Sequence, residues 1–303
     1  MRILVTGATG FVGRHLVAHL LAQGSTAVSL LVREHHGQAE LRNLPPSLQS
    51  IQQHLHFVYA DLRNYRMTKR AVTEASPQIV VHLAAAGATD PFLPLDTALR
   101  HNLYGTLNLV RACFEKGGSV EQVIVARTPG ERTHMNVYAA SKAAAWGFCQ
   151  MYGRTQCWPI HGAMIFQAYG PGQANHTLVP SAIQAANAGL DFPMTAGMQK
   201  RDWIYVQDVV TGITAMLGKP LPPGETAELG TGKVTSVIDV VKMIYDLAGH
   251  GGRPFPGTLP ARPGEETEQK ANISHTKKLI DWQATIPLAE GLRLMMQAAP
   301  ARQ

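Results

Sequence analysis

Three features of the sequence predict an α/β fold: a doubly wound parallel sheet followed by a smaller C-terminal α/β lobe. Short β-branched runs alternate with long helical patterns through the first half, which is how strands joined by crossover helices read. A glycine loop joins the first run to the first helix. Past about residue 165 the rhythm breaks. Proline and glycine become dense at Tyr169-Gly170-Pro171-Gly172 and Pro222-Pro223-Gly224, and the elements shorten.

Residues 3–6 are an apolar run that reads as a buried strand, and residues 11–23 carry a helical pattern closed by Gly24. The second strand spans 27–32. A polar loop containing Pro45 and Pro46 leads to a third strand at 56–60, then to a helix from about 64 to 75. A fourth strand at 79–83 precedes a long helix over 95–116, stopped by Gly117 and Gly118. The fifth strand (123–126) and another long helix (135–156) complete a dinucleotide-binding unit over 1–165. Residues 166–303 are expected to be mainly a substrate-binding lobe, discontinuous, with the chain returning to the first sheet around 203–225 and crossing it near 203–206.

The bulk numbers narrow the function classes. With 303 residues, 45% hydrophobic and 16% charged, the chain can fill a sizeable core. The net charge of +6 comes from scattered residues such as Arg2, Lys69, Arg201 and Lys277, so no basic stripe for nucleic acid is expected. No apolar run approaches the ~20 residues a membrane helix needs. Met1-Arg2 leads straight into the first strand, so no signal peptide is expected. The three cysteines form no C-x-x-C pair, which fits a reducing, cytoplasmic setting. His35-His36 and His54/His56 lack metal-ligand spacing with any cysteine or carboxylate cluster, so no metal is expected.

The loop Thr6-Gly7-Ala8-Thr9-Gly10-Phe11-Val12-Gly13 lies between the first strand and first helix. In that context Gly7 permits the tight turn, Gly10 admits the pyrophosphate, and Gly13 lets helix and strand pack closely. The free N–H groups of the helix start then face the phosphates. Thr9, Phe11 and Val12 complete the loop's cofactor-binding candidates. The second strand ends Val32-Arg33-Glu34. Arg33 favours NADP(H) over NAD(H), because a guanidinium accommodates a 2′-phosphate, although Glu34 beside it could hold ribose hydroxyls instead. Asp61-Leu62, after the third strand, is placed either to meet the adenine or to make a turn.

Tyr138 and Lys142 stand at i and i+4, on one face of a helix. A phenol near its ordinary pKa of ~10 is a poor acid–base group at neutral pH. A neighbouring ammonium and a positive nicotinamide ring favour the phenolate, and lysine can also reach the ribose. Thr128, just past the fifth strand, is placed to hydrogen-bond a substrate oxygen.

With these motifs the sequence resembles the extended short-chain dehydrogenase/reductase family of nucleotide-sugar epimerases, dehydratases and ketoreductases, whose sheet is of the Rossmann type. The likeness includes Val81-His82-Leu83-Ala84-Ala85, Asn102-Leu103-Tyr104-Gly105-Thr106, Arg201-Asp202-Trp203 and Arg262-Pro263-Gly264-Glu265. It implies that Leu83, Ala84 and Ala85 line the cofactor, that Asn102 orders that wall, and that Arg201 and Arg262 grip a nucleotide diphosphate. Bidentate guanidinium donors suit such a group. Asp208 reads as an N-cap for a helix from Val209. The likeness also implies a homodimer through helices 95–116 and 135–156.

Three departures stand out. Arg127-Thr128-Pro129-Gly130-Glu131 replaces a serine-rich strand end and a longer loop. The Thr-Asp-Glu of the sugar 4,6-dehydratases is absent, which disfavours dehydration. Met164-Ile165-Phe166-Gln167 replaces Arg-x-x-Asn, leaving Gln167 as a third substrate-binding candidate beside Arg201 and Arg262. The resemblance implies hydride transfer at a sugar carbinol or ketone by a nucleotide-sugar epimerase or 4-ketoreductase. A reductase of a non-nucleotide ketone and a non-catalytic dinucleotide sensor are the alternatives.

Overall fold

Each predicted strand of the first half forms, as an apolar run buried within a parallel sheet, except at the sheet-edge strand His56–Tyr59, where Val58 alone is buried. The computed structural model describes residues 1–24, 27–33, 44–90, 92–115, 119–249 and 251–298. Glu34, His35, His36 and the glycine pair at 117–118 lie outside the described residues. In chain order the elements are β1 (Arg2–Thr6), α1 (Phe11–Ala22), β2 (Ala27–Val32), α2 (Pro46–Gln49), β3 (His56–Tyr59), α3 (Tyr65–Ala75), β4 (Ile79–His82), α4 (Leu95–Ala98), α5 (Gly105–Phe114) and β5 (Gln122–Arg127). Then follow α6 (Val137–Gln156), β6 (Ile160–Ile165), β7 (Gln167–Tyr169), α7 (Leu178–Ala188), β8 (Phe192–Met194), β9 (Lys200–Tyr205) and α8 (Val206–Met216). The last are β10 (Thr226–Leu229), β11 (Val234–Ser236), α9 (Val237–Ala248), β12 (Pro254–Pro256), β13 (Glu268–Gln269), α10 (Ile273–Ile280) and α11 (Leu288–Ala298).

Among the described residues seven parallel strands form the main sheet in the order β10-β6-β5-β4-β1-β2-β3. The order 3-2-1-4-5-6 within it is that of a Rossmann sheet, whose switch point lies between β1 and β4. Both faces are covered. Ile3, Val5 and Leu30 pack with Leu16 and Leu20 of α1 and Val209 and Ile213 of α8. On the other face Leu4, Val80 and Val123 pack with Val72, Leu109, Trp146 and Cys149. A third core, with Val179, Ile183, Trp203, Val241 and Leu292, sits in the C-terminal lobe.

Three expectations need correction. The strand near 203–206 does not join the main sheet. β9 pairs with β7, β11 and β13 in a second sheet. The chain does return within 203–225, but through α8, whose Val209 and Ile213 pack on the main sheet. The strand that then joins that sheet is β10, parallel to β6. The stretch 95–116 is not one regular helix: Leu99–Tyr104 forms a π-helical turn between α4 and α5, a widening typical of functional sites. Asp208 is not an N-cap, since α8 already begins at Val206. Its buried carboxylate instead accepts from Thr285 N, Thr285 Oγ1 and Ile286 N at 2.9–3.1 Å, tying α8 to the segment before α11.

Candidate active site

At the switch point the chain must turn sharply from β1 into α1, and the glycines make that possible. Gly7 has φ of +69°, and a Cβ there would lie 2.6 Å from Ala84 N. A Cβ on Gly13 would lie 2.1 Å from Gly7 O and 2.7 Å from Ala8 Cα, so α1 could not approach the loop. Gly10 is the N-cap of α1 without a side-chain cap, which leaves first-turn amides for a ligand. The cleft in front measures about 520 Å³ and is lined by Gly7, Thr9, Gly10, Arg33, Asp61, Leu62, Leu83, Ala84 and Ala85, all expected from sequence, with Ala86, Thr97 and His101 in addition. A backbone cradle that a single methyl would fill, with helix amides at its base, fits a dinucleotide pyrophosphate. Phe11 and Val12 are half-buried and Gly13 is buried; they shape the loop and are not among the cleft's lining.

A hydrogen-bond chain fixes the cleft wall. Ala84 N donates to Thr6 Oγ1, which lies 2.7 Å from His82 Nδ1. His82 Nε2 lies 2.9 Å from Thr106 Oγ1, whose hydroxyl donates to Asn102 O at 2.6 Å. Since Thr106 spends its proton on that carbonyl, it must accept from His82 Nε2–H. His82 is therefore the neutral Nε2 tautomer, and Thr6 donates to Nδ1. Burial, with the Lys142 charge adding to it, pushes the His82 pKa down to about 3. Asn102 lies behind the wall: its side chain bonds Ala86 N and O at 2.8 and 3.0 Å and Ser141 Oγ at 3.0 Å. Ser141 in turn donates to Tyr138 O. The π turn thus couples the cofactor wall to α6.

At the far end of the cleft Arg33 is exposed. Asp61 lines the cleft and makes the turn its sequence allowed, accepting from Arg63 N and Nε at 2.9 Å. That hydrogen bonding holds its carboxyl below the usual range. His101 is held below its usual pKa by burial and by the nearby Arg63 and Arg33 charges.

A second cavity, about 320 Å³, lies beside the first, bounded by both lobes. It brings together Thr128, Tyr138, Gln167, Arg201 and Arg262 from five separate stretches of chain. Tyr138 and Lys142 sit on α6, whose start is capped by Asn136 accepting from Ala139 N at 2.8 Å. Lys142 is 4% exposed. Contrary to the expectation that Lys142 favours the phenolate, burial raises the Tyr138 phenol well above its ordinary pKa, with Glu131 adding to the rise. Burial lowers Lys142, and Glu131 opposes that. Among the described residues neither Tyr138 Oη nor Lys142 Nζ makes a hydrogen bond. Arg201 is nearly buried and already engaged: its guanidinium donates to Lys200 O and Glu266 O at 2.9 Å and pairs with Glu265 at 3.1 Å.

Sequence reasoning missed several lining residues. Asp90, Gln173, His176 and Glu265 face the second cavity, and His176 Nε2 reaches Thr89 Oγ1 across it at 3.3 Å. Gln173 Oε1 is buried without a hydrogen-bond partner among the described residues. Such residues lie in loops where no periodicity marks them. His101 was within reach, since it sits beside Asn102 in a segment already singled out. Among the described residues no group of three or more His, Cys, Asp or Glu could hold a metal, and no helix is long and apolar enough to cross a membrane.

Residues 3–230 match the model of the NAD dependent epimerase/dehydratase family. The chain is 30% identical to an uncharacterized UDP-glucose epimerase of Bacillus subtilis, over 96% of each chain. It is 29% identical to the dTDP-D-glucose 4,6-dehydratase of Mus musculus, over 96% of this chain and 86% of the relative. Among solved structures, the UDP-glucose 4-epimerase of Thermus thermophilus in complex with NAD superposes with a TM-score of 0.82 at 28% identity, covering 98% of each chain.

Proposed function

Because the chain belongs to the NAD dependent epimerase/dehydratase family, we propose that it acts at a carbinol of a nucleotide-linked sugar, as an epimerase, with Tyr138 as the acid–base group. The observation that carries this reading is the junction of the two cavities. Thr128 and Tyr138 line the second, and Asn102 and Ser141 tie α6 to the cofactor wall.

A nicotinamide dinucleotide held in the glycine-loop cleft would supply the hydride acceptor. Tyr138 Oη takes the carbinol proton as the carbon becomes a ketone and returns it when the carbon is reduced from the other face. Thr128 hydrogen-bonds the same oxygen, and Lys142 supplies positive charge and would hold the dinucleotide's ribose. Arg262 and Arg201 hold the diphosphate, Arg201 exchanging its Glu265 partner for it, with Gln167 alongside. Dehydration needs an acidic pair after Thr128. Pro129 and Gly130 stand there instead, and the next carboxylate, Glu131, is locked to Arg127 at 2.8 Å.

Arg33 at the adenosine end supports a second reading, an NADP(H)-dependent 4-ketoreductase. Homodimerisation through α4–α5 and α6 belongs to either reading. The test is mass spectrometry of UDP-glucose or dTDP-glucose after incubation, together with the dinucleotide that co-purifies. A product of unchanged mass but altered retention supports the epimerase. Loss of water would overturn that assignment, and gain of two hydrogens on a keto-sugar with bound NADP would favour the reductase. Tyr138→Phe must abolish turnover while retaining the dinucleotide; unchanged turnover sinks the catalytic assignment.

A further inference from the structure

We infer that Glu131 is a positioning residue for proton transfer: its buried carboxylate holds Thr128 and Arg127 in place and balances the charge of Lys142. The inference rests on the reading of Tyr138 and Lys142 as the proton-handling pair.

The geometry is that of a built site. The Glu131 side chain is 1% exposed and that of Arg127 14%. Glu131 Oε1 accepts from Thr128 N at 2.9 Å and Oε2 from Arg127 Nε at 2.8 Å, while Glu131 N donates to Thr128 O at 3.1 Å. Thr128 is thus gripped through both of its backbone polar groups by one residue. Arg127 is fixed on two further sides: it donates to Thr226 Oγ1 of β10 at 2.9 Å and stacks over the Trp146 ring of α6 at 4.5 Å. Gly162 of β6 leaves the room, since a Cβ there would lie 2.7 Å from Arg127 Cδ and 2.6 Å from Thr226 Oγ1. Three strands and a helix are shaped around this pair.

A buried pair of this kind is weak evidence for stability, because desolvating both ions offsets their attraction. Its location suggests another use. The groups facing Lys142 are His82 from β4, Arg127 from β5, Glu131 from the turn after it, and Cys149 on α6. His82 is neutral, and burial pushes the Cys149 thiol up to about 12. Glu131 is therefore the negative charge in a nest holding two buried cations, and it also faces Tyr138. A compact turn at Pro129–Arg132 brings this carboxylate back onto Thr128 and Arg127.

The test needs no sugar nucleotide. Tyrosinate absorbance is titrated in the full chain with saturating NAD, and the Tyr138→Phe trace is subtracted to isolate Tyr138. Glu131→Gln removes the charge but keeps an acceptor for Thr128 N. Tyr138 should then ionise about one pH unit lower, while Glu131→Asp should leave the midpoint near the wild-type value. An unmoved midpoint in Glu131→Gln, or an equal displacement in Glu131→Asp, would overturn the inference. If Glu131→Gln does not fold, the double variant Arg127→Met/Glu131→Leu removes both charges, and its midpoint must also move. Unchanged turnover in Tyr138→Phe would sink the underlying reading instead, so the two failures are distinguishable.

Discussion

Acidification from pH 7 to pH 5 should destabilise the protein through His82 alone by about 2 kcal/mol. The ring is fully buried as the neutral Nε2 tautomer, and its pKa in the fold is near 3 against ~6.5 in the unfolded chain. A depressed folded-state value means the contribution is complete above ~6.5 and is lost as pH falls toward 3. In that window the unfolded chain takes a proton that the folded one refuses. The loss is ~1.4 kcal/mol per pH unit, hence about 2 kcal/mol over the 1.5 units down to pH 5. Against a total of roughly 5–15 kcal/mol this is large, and for a chain of 303 residues it corresponds to a melting-temperature fall of about 3 °C. His15, His101 and His161 are also held below their usual values by burial, so the wild-type slope alone does not isolate His82. The assay is therefore thermal melting of wild type and His82→Asn across pH 7 to 5. Asn keeps a donor and an acceptor but has no proton to gain. The two curves should converge as pH falls, and parallel curves would refute the assignment.

Two further outcomes follow from single sites. Gly13→Ala places a methyl against backbone atoms that cannot rotate away. It should cost about 3 kcal/mol and weaken dinucleotide binding at least tenfold; calorimetric titration showing wild-type affinity would contradict the packing argument. Lys142→Met removes a buried ammonium that makes no hydrogen bond within the fold among the described residues, so it should raise stability by about 1–3 kcal/mol while abolishing turnover. A lower melting temperature would show that the ammonium is better accommodated than its burial implies.

The main sheet was legible because its strands are β-branched runs separated by helical patterns, and the glycine loop stands where one residue type alone fits. Helix ends moved by a residue or two, as fraying and capping allow. The π turn was not legible, because residues 99–104 carry a helical pattern in either form. β9 ends in the apolar run Trp203-Ile204-Tyr205, which reads like a main-sheet strand, and its pairing with β7 and β11 shows otherwise. At the site, Tyr138, Thr128, Arg201 and Arg262 were marked by motif. Glu131 looked like one of many charged residues in a short loop until Arg127 and Thr128 were seen around it.

The pairing of β10 with β6 bears on how the chain is made. Ile165 ends β6, and the strand that covers its free edge begins at Thr226, roughly 60 residues later. At about 5–20 residues per second of synthesis, that edge stands open for roughly 3–12 s after β6 emerges. An uncovered parallel edge is a template for the wrong partner. The nascent first half therefore leaves the ribosome with its last strand unprotected, and the main sheet cannot be completed until the chain has emerged through Leu229.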